Sequence, residues 1–307
     1  MQNIFYKISL VICTYNRDKY LPEALESIRQ QAIDATAFQL IIVDNNSTDN
    51  SALISKKFIT ANPQLNIKYA FETNKGLSFA RNRGIEEAEA PVISYVDDDA
   101  ILPPGFLNAM LDFYKHNPQA VGGGGKVIPK YENGEEPAWM NKYLNGFVGK
   151  VDHGTIIKKF DSSMKYPAGC NMTYKKDILI KAGGFNNELT FRSDDKYIFF
   201  KVAAISHEIY YVPDAYVHHY IDQYRLEFSN FKKLFLKTGN EEKIRTRSQQ
   251  GNTGVIKKAV EFLLKCIVSV IIYLLFFVKG QSIKGKYVFL SQWFTLKGFF
   301  MKEVFVR

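Results

Sequence analysis

The chain has 307 residues, 46% of them apolar and 23% charged, which suits one large α/β domain plus an appendage and excludes a disordered or fibrous protein. Its formal charge of +9 is unevenly placed: residues 1–224 carry 24 Lys/Arg against 26 Asp/Glu, whereas 225–307 carry 16 against 5. The basic excess belongs to a C-terminal quarter that also holds the longest apolar run, so an anionic lipid surface fits it better than nucleic acid. Ile8–Ile12 reads as a buried strand, Tyr20–Ala32 as an amphipathic helix and Leu40–Val43 as a second strand. A helix near Ser51–Ala61, a strand at Ile67–Phe71, a helix over Gly76–Ala88 and the strand Val92–Val96 continue the βαβ rhythm of a doubly wound α/β sheet. Pro103-Pro104 then opens a helix reaching about His116.

Residues 120–224 lose that rhythm, with mixed strands and loops and a helix around Lys175–Ala182 closed by Gly183-Gly184. Gly122–Gly125 precedes strand-like Lys126–Ile128 rather than a helix N-terminus, so it reads as a close backbone approach or bulge and not as a phosphate cradle. Ile209–Val212 reads as a strand followed by a turn at Pro213-Asp214. Cys13, Cys170 and Cys266 stand far apart without a CxxC pair, which excludes a disulfide framework and a structural zinc site. The N-terminus shows no basic segment followed by an apolar one, so a cytoplasmic catalytic part is expected.

Polar residues stand where the early strands end, the place at which an open α/β sheet binds ligands. These are Thr14-Tyr15-Asn16-Arg17, Asp44-Asn45-Asn46-Ser47 and Asp97-Asp98-Asp99. Turn and cap chemistry accounts equally well for any one of them, and a solvated turn is the alternative reading of the acidic triplet. Three adjacent carboxylates after an apolar strand repel one another, and a hard divalent cation, Mg²⁺ or Mn²⁺, is the natural neutraliser. No GxxxxGK[ST] loop is present, so a diphosphate is expected to be held through that metal.

The ordered motifs Ser9–Arg17, Ile42–Asp49, Asn74–Gly84, Tyr95–Asp99, Gly183–Phe185, Ser193–Asp195 and Val212–His219 resemble the inverting glycosyltransferases of family 2, whose fold is called GT-A. The resemblance covers roughly residues 5–220. It implies a nucleotide-sugar donor site that includes Thr14, Tyr15, Asn16, Arg17, Asp44, Asn46, Asn74, Gly76, Arg81, Asp97 and Asp98. Within it, Thr14 and Tyr15 would line the base pocket, Asp44 would hydrogen-bond the base and Arg81 would lie near the nucleotide. Asp97 would face the ribose and the metal shell, Asp99 would bind the metal, Asp98 would share either task, and His219 would complete the shell. Asp195 is the implied catalytic base with Asp194 its neighbour, although the family more often has Glu at the first position. A carboxylate there would accept the acceptor hydroxyl's proton while the metal stabilises the departing nucleoside diphosphate, and a single displacement inverts the sugar.

The resulting expectation is one GT-A domain over 1–224, with a donor half at 1–119 and an acceptor half at 120–224, followed by a helical extension over 225–307. Trp139 is a candidate for stacking on an acceptor sugar, with burial an equal reading. The run Phe262–Val278, interrupted by Lys265, suits a short membrane span, an interfacial helix or a buried one, and lysines 257, 258, 279, 284 and 286 flank it. Shallow attachment to the cytoplasmic leaflet would bring the site to a glycan or lipid-linked acceptor in surface polysaccharide or lipopolysaccharide assembly. One sugar per visit from a UDP-sugar is the expected reaction, because the Gln-x-x-Arg-Trp motif of processive synthases is absent. A sugar nucleotidyltransferase and a non-catalytic donor-binding scaffold are the competing readings; the first lacks its glycine-rich loop and the second has no use for Asp194-Asp195.

Overall fold

The computed structural model of the chain describes residues 7–161, 164, 166–189 and 193–301. Its first strand, β1 (Ile8–Thr14), is buried almost throughout, as a strand covered by helices on both faces must be. The chain then alternates through α1 (Leu21–Arg29), β2 (Phe38–Asp44), α2 (Ser51–Ala61), β3 (Ile67–Phe71), α3 (Leu77–Glu87) and β4 (Val92–Asp97). Strands β2 and β4 flank β1 in parallel and β3 pairs in parallel with β2, so each return passes through a helix.

After β5 (Ala100–Ile101) and α4 (Phe106–His116) the direction changes. The following elements are β6 (Gly122–Tyr131), β7 (Lys158–Lys159), β8 (Asn171–Lys175), α5 (Lys176–Ala182), α6 (Asp194–Ala203) and β9 (Ile209–Ile221). Strand β8 runs antiparallel to β4 and β6 antiparallel to β8, and the sheet order is β3-β2-β1-β4-β8-β6-β9-β5, with β7 paired to β9. This is the mixed α/β architecture expected. Leu21, Leu25 and Ile28 of α1, with Phe106, Met110 and Phe113 of α4, bury the face that carries Ile8, Leu10 and Ile12. The opposite face, with Val11, Ile41 and Val43, is covered by Ala80 and Ile85 of α3, Leu179 of α5, and Ile198 and Val202 of α6.

Two local expectations are corrected. The four glycines stand inside β6 rather than before it, and they are there for space: a Cβ on Gly125 would lie 1.6 Å from the Ala215 carbonyl oxygen, and one on Gly123 2.8 Å from that of Tyr210. Strand β9 does not turn at Pro213-Asp214 but runs on to Ile221, because Ala215, Val217, His219 and Ile221 alternate inward with period two. That extension places His219 beside Ala100 of β5.

The described residues divide into two compact units. The first comprises 7–129, 149–189 and 194–220, and holds the sheet; the second comprises 130–148, 193 and 221–301. The second unit contains α7 (Gln223–Leu226), α8 (Phe228–Val278) and α9 (Ser282–Phe300). Helix α8 breaks at Gly251, whose φ of 66° and ψ of −165° are not helical. Across the break Lys258 comes within 4.0 Å of Glu242, so the two halves fold back on each other. Helix α9 lies against both. It is antiparallel to the second half, with Phe299 at 5.3 Å from Phe262 and Gly285 against Tyr273. It also meets the first half at Gly239 and Gly298, where an added Cβ would stand 2.0 Å from the carbonyl oxygens of Thr295 and Leu236 respectively.

Candidate active site

The loops after β1, β2 and β3 are tied to one another by short polar side chains. Asn16 and Asn46 adopt positive φ, 54° and 63°, a conformation that Asn tolerates. The Asn16 side-chain oxygen accepts from Thr48 N at 2.7 Å, and Asn46 donates to the Thr73 carbonyl at 3.2 Å. Asn45 is the hub: its amide donates to the Asn74 carbonyl at 2.6 Å and its oxygen accepts from Gly76 N at 2.7 Å. Gly76, at φ 141°, caps α3 in a conformation closed to other residues. Asn74 N in turn donates to Glu72 at 2.7 Å. Thr14 is buried at the end of β1, opposite Asp44 in register, whereas the Tyr15 ring is exposed with the Lys75 ammonium 5.3 Å above it. Asp44 is wholly buried, accepting from Ser47 N at 2.8 Å and from the Tyr69 hydroxyl at 2.7 Å. Burial and that carboxylate both push the Tyr69 phenol up.

Beside these loops lies an acidic centre. One ligand atom each from Asp97, Asp99 and His219 lies within 4.8 Å of the others. His219 Nε2 is 3.2 Å from Asp99 Oδ1, and the buried ring is placed there by β9. Arg17 approaches the same group, at 3.1 Å from Asp99 and 3.5 Å from Asp98. Desolvation pushes Asp98 up to about 8; Arg17 opposes this and Asp99 reinforces it. Desolvation raises Asp97 too, with Arg81 opposing.

Arg81 is the second organising charge. Reaching from α3 with a buried side chain, it pairs with the buried Asp194 at the start of α6, lies 3.2 Å from Asp97 and donates to the Gly169 carbonyl at 3.1 Å. Burial favours loss of its proton, but Asp194 and then Asp97 outweigh it and hold the guanidinium charged. Asp195 accepts from Gly169 N at 3.2 Å, so one glycine links Arg81 to the Asp194-Asp195 pair. The Phe185 loop is fastened to α3 by Asn82, which accepts from Phe185 N at 2.8 Å and donates to the Phe185 carbonyl at 2.9 Å.

A model of the family described as "Glycosyl transferase family 2" matches residues 9–183, more than half the chain. The chain belongs to that family. It is a glycosyltransferase with the GT-A fold. A glucosyl-dolichyl phosphate glucuronosyltransferase of Haloferax volcanii is 27% identical over 232 residues, 72% of each chain. The poly(ribitol-phosphate) β-N-acetylglucosaminyltransferase TarS of Staphylococcus aureus is 27% identical over 224 residues, but this chain spans only 38% of its length. Among solved structures, the mannosyltransferase PcManGT of Pyrobaculum calidifontis, in complex with GDP-Man and Mn²⁺, superposes with a TM-score of 0.61 at 14% identity, covering 94% of this chain and 86% of that one. TarS 1–349 with UDP-GlcNAc gives 0.56 at 18% identity, covering 93% and 90%. At such identities the structural likeness is one of fold.

The acidic centre suits a divalent cation by its donor chemistry. Among the described residues, Arg17 and Arg81 lie against Asp97, Asp98, Asp99 and Asp194, and so carboxylate-rich a cluster offers the oxygen donors that a hard ion takes. Two carboxylates and an imidazole converge from β4, the turn after it, and β9. Of the residues singled out from sequence, the structure thus brings together Arg17, Arg81, Asp97, Asp98, Asp99, Asp194, Asp195 and His219. It sets Thr14 and Asp44 at the ends of β1 and β2, and Tyr15, Asn16, Asn46, Asn74 and Gly76 along the neighbouring loops. Trp139 belongs to the second unit, where its indole stacks on Tyr287 at 4.5 Å and meets Phe147 and Phe231 edge-on. Sequence reasoning gave Asn45 no role of its own and passed over Tyr69 and Gly169. Asn45 lay inside a quoted motif, whereas nothing local marks Gly169.

Proposed function

We propose that the chain transfers one sugar from a nucleotide-sugar donor, a UDP-sugar first, to a hydroxyl of a glycan or lipid-linked glycan, with inversion and with Mn²⁺ or Mg²⁺ bound. The observation that carries the reading is the joining of two acidic groups through Arg81: Asp97, beside Asp99 and His219, on one side and Asp194-Asp195 on the other. Asp97, Asp99 and His219 would hold the metal, which supplies Lewis-acid stabilisation of the leaving diphosphate. Tyr15 offers an exposed ring on which a base can stack, and Thr14 and Asp44 line the strand ends beneath it.

Asp195 is the base in this reading. Its Oδ2 accepts from Gly169 N and its Oδ1 from Lys196 N at 2.7 Å, which orients the carboxylate, while Asp194 is committed to Arg81. Asp195 takes the acceptor hydroxyl's proton as the new oxygen–anomeric carbon bond forms, and the bond to the diphosphate breaks with its electron pair leaving on the phosphate oxygen. The exposed apolar helix of the second unit suits an acceptor presented at a membrane, here the cytoplasmic leaflet, in surface polysaccharide or lipopolysaccharide assembly. The archaeal relative named for a dolichyl phosphate substrate points the same way.

The test is a thermal-shift screen against UDP-, dTDP- and GDP-sugars with and without Mn²⁺, followed by transfer assays on Asp195→Asn and Asp99→Ala. Asp195→Asn is expected to keep the donor shift and lose transfer, and Asp99→Ala to lose the metal-dependent shift. Normal turnover by Asp195→Asn would remove the base assignment, and no shift with any donor in folded protein would remove the donor site.

A further inference from the structure

The second half of α8 is turned inside out relative to a soluble helix. Its Phe262, Cys266 and Ser269 face inward, whereas Val260, Leu263, Leu264, Ile267, Ile271 and Leu274 are exposed. By length and composition alone α8 is long and apolar enough to cross a membrane, and its most apolar 18-residue stretch is only 17% buried. The fold argues against a crossing. The apolar half is packed antiparallel on α9, and α9 lies along the first half of α8, with Phe228 6.1 Å from Phe294 and Phe231 5.0 Å from Tyr287. That first half carries Lys232, Lys233, Lys237, Glu241, Glu242, Lys243, Arg245 and Arg247, charges that cannot sit at the bilayer centre. The helix ends that flank the exposed turn between α8 and α9 are held as well: Trp139 stacks on Tyr287, Asn141 donates to the Lys284 carbonyl at 3.4 Å, and Tyr143 meets Phe276. A crossing would drag this polar material into lipid or tear the sheaf apart.

The exposed stripe of α9 shows what surface fits instead. Ile283, Lys286, Trp293, Lys297 and Phe300 are exposed and fall on one face at helical spacing, mixing aromatic and cationic groups as headgroup-level surfaces do. We propose that the second unit is a monotopic lipid-binding module: the outward face of residues 256–278 lies in the plane of an anionic bilayer and no helix spans it. The occupant is argued from charge, since residues 225–307 carry 16 Lys/Arg against 5 Asp/Glu. The inference deepens the membrane part of the proposed function and rests on it, but it does not depend on the donor or the catalytic base.

The full chain should float with phosphatidylcholine vesicles containing phosphatidylglycerol, and binding should fall about tenfold or more without the anionic lipid or in high salt. Trp293 reports depth: its fluorescence should be quenched more by lipid brominated near the headgroup than by lipid brominated near the tail end, a difference that Trp293→Phe removes. Leu264→Glu/Ile271→Glu, both at exposed positions, should abolish flotation while leaving the melting temperature and the donor-induced thermal shift unchanged. Stronger quenching from the tail end would mean a span, and failure of the folded, donor-binding chain to float would mean that the face is covered by protein; either overturns the proposal.

Discussion

Replacing Arg81 by Met isolates the link between the two acidic groups, because Met keeps the apolar stem and deletes the charge. The Arg81 and Asp194 side chains are 3% and 4% exposed, so the variant leaves a carboxylate buried without its counter-charge. Breaking a buried pair from one side costs about 3–5 kcal/mol. With a urea dependence of about 3 kcal/mol per molar for a domain of this size, the unfolding midpoint should fall by about 1–1.7 M. The double variant Arg81→Met/Asp194→Leu removes both charges and should recover part of that loss, giving a coupling of about 2 kcal/mol or more. Urea titration of the four proteins, followed by tryptophan fluorescence and circular dichroism, measures both numbers. A midpoint shift under about 0.3 M for Arg81→Met, or strict additivity in the double variant, would refute the reasoning that the pair is mutually dependent.

Other outcomes follow from the same geometry. Gly125→Ala forces a Cβ to within 1.6 Å of the Ala215 carbonyl oxygen, so β6 and β9 must part; a loss of about 3 kcal/mol is expected by urea titration, and a stable variant would contradict the strand packing. His219→Ala should reduce the Mn²⁺-dependent part of the donor's thermal shift and leave the metal-free part alone; identical shifts in variant and parent would exclude His219 as a ligand. Glu87 is 2.5 Å from both Lys68 and Arg83, and the hydrogen bond from Lys68 leads the effects that hold its carboxyl below the ordinary range. A depressed carboxyl stabilises the fold above its unfolded-state value and loses that contribution as pH falls through its folded-state value. Glu87→Gln should therefore cost about 1 kcal/mol at pH 7, and the two proteins should converge in acid; a constant gap across pH would contradict the pairing.

The N-terminal half of the fold was legible because its signals are local. Apolar runs at Ile8–Ile12, Leu40–Val43 and Val92–Val96 are short and β-branched, as buried strands are, and the polar residues ending each of them fall at the carboxyl edge of the parallel strands. The reading failed where a long-range partner sets the conformation. The close backbone approach expected of Gly122–Gly125 is present but lies inside a strand, because β8 and β9 close in on both sides, and the turn expected at Pro213-Asp214 is overridden by the inward alternation of the residues after it.

The sequence by itself determined the family, the α/β sheet, the position of the acidic triplet at a strand end and the basic, apolar character of the C-terminal quarter, since each is written in adjacent residues or in one helix or strand period. Tertiary structure alone decided that Arg81 joins Asp97 to Asp194 across 113 positions of sequence from the latter, that Gly169 fixes Asp195, and that the apolar half of α8 is bound to charged neighbours. Those facts are contacts between segments far apart along the chain. Their geometry exists only once the sheet and the helical sheaf have closed, because until then no distance between such segments is defined.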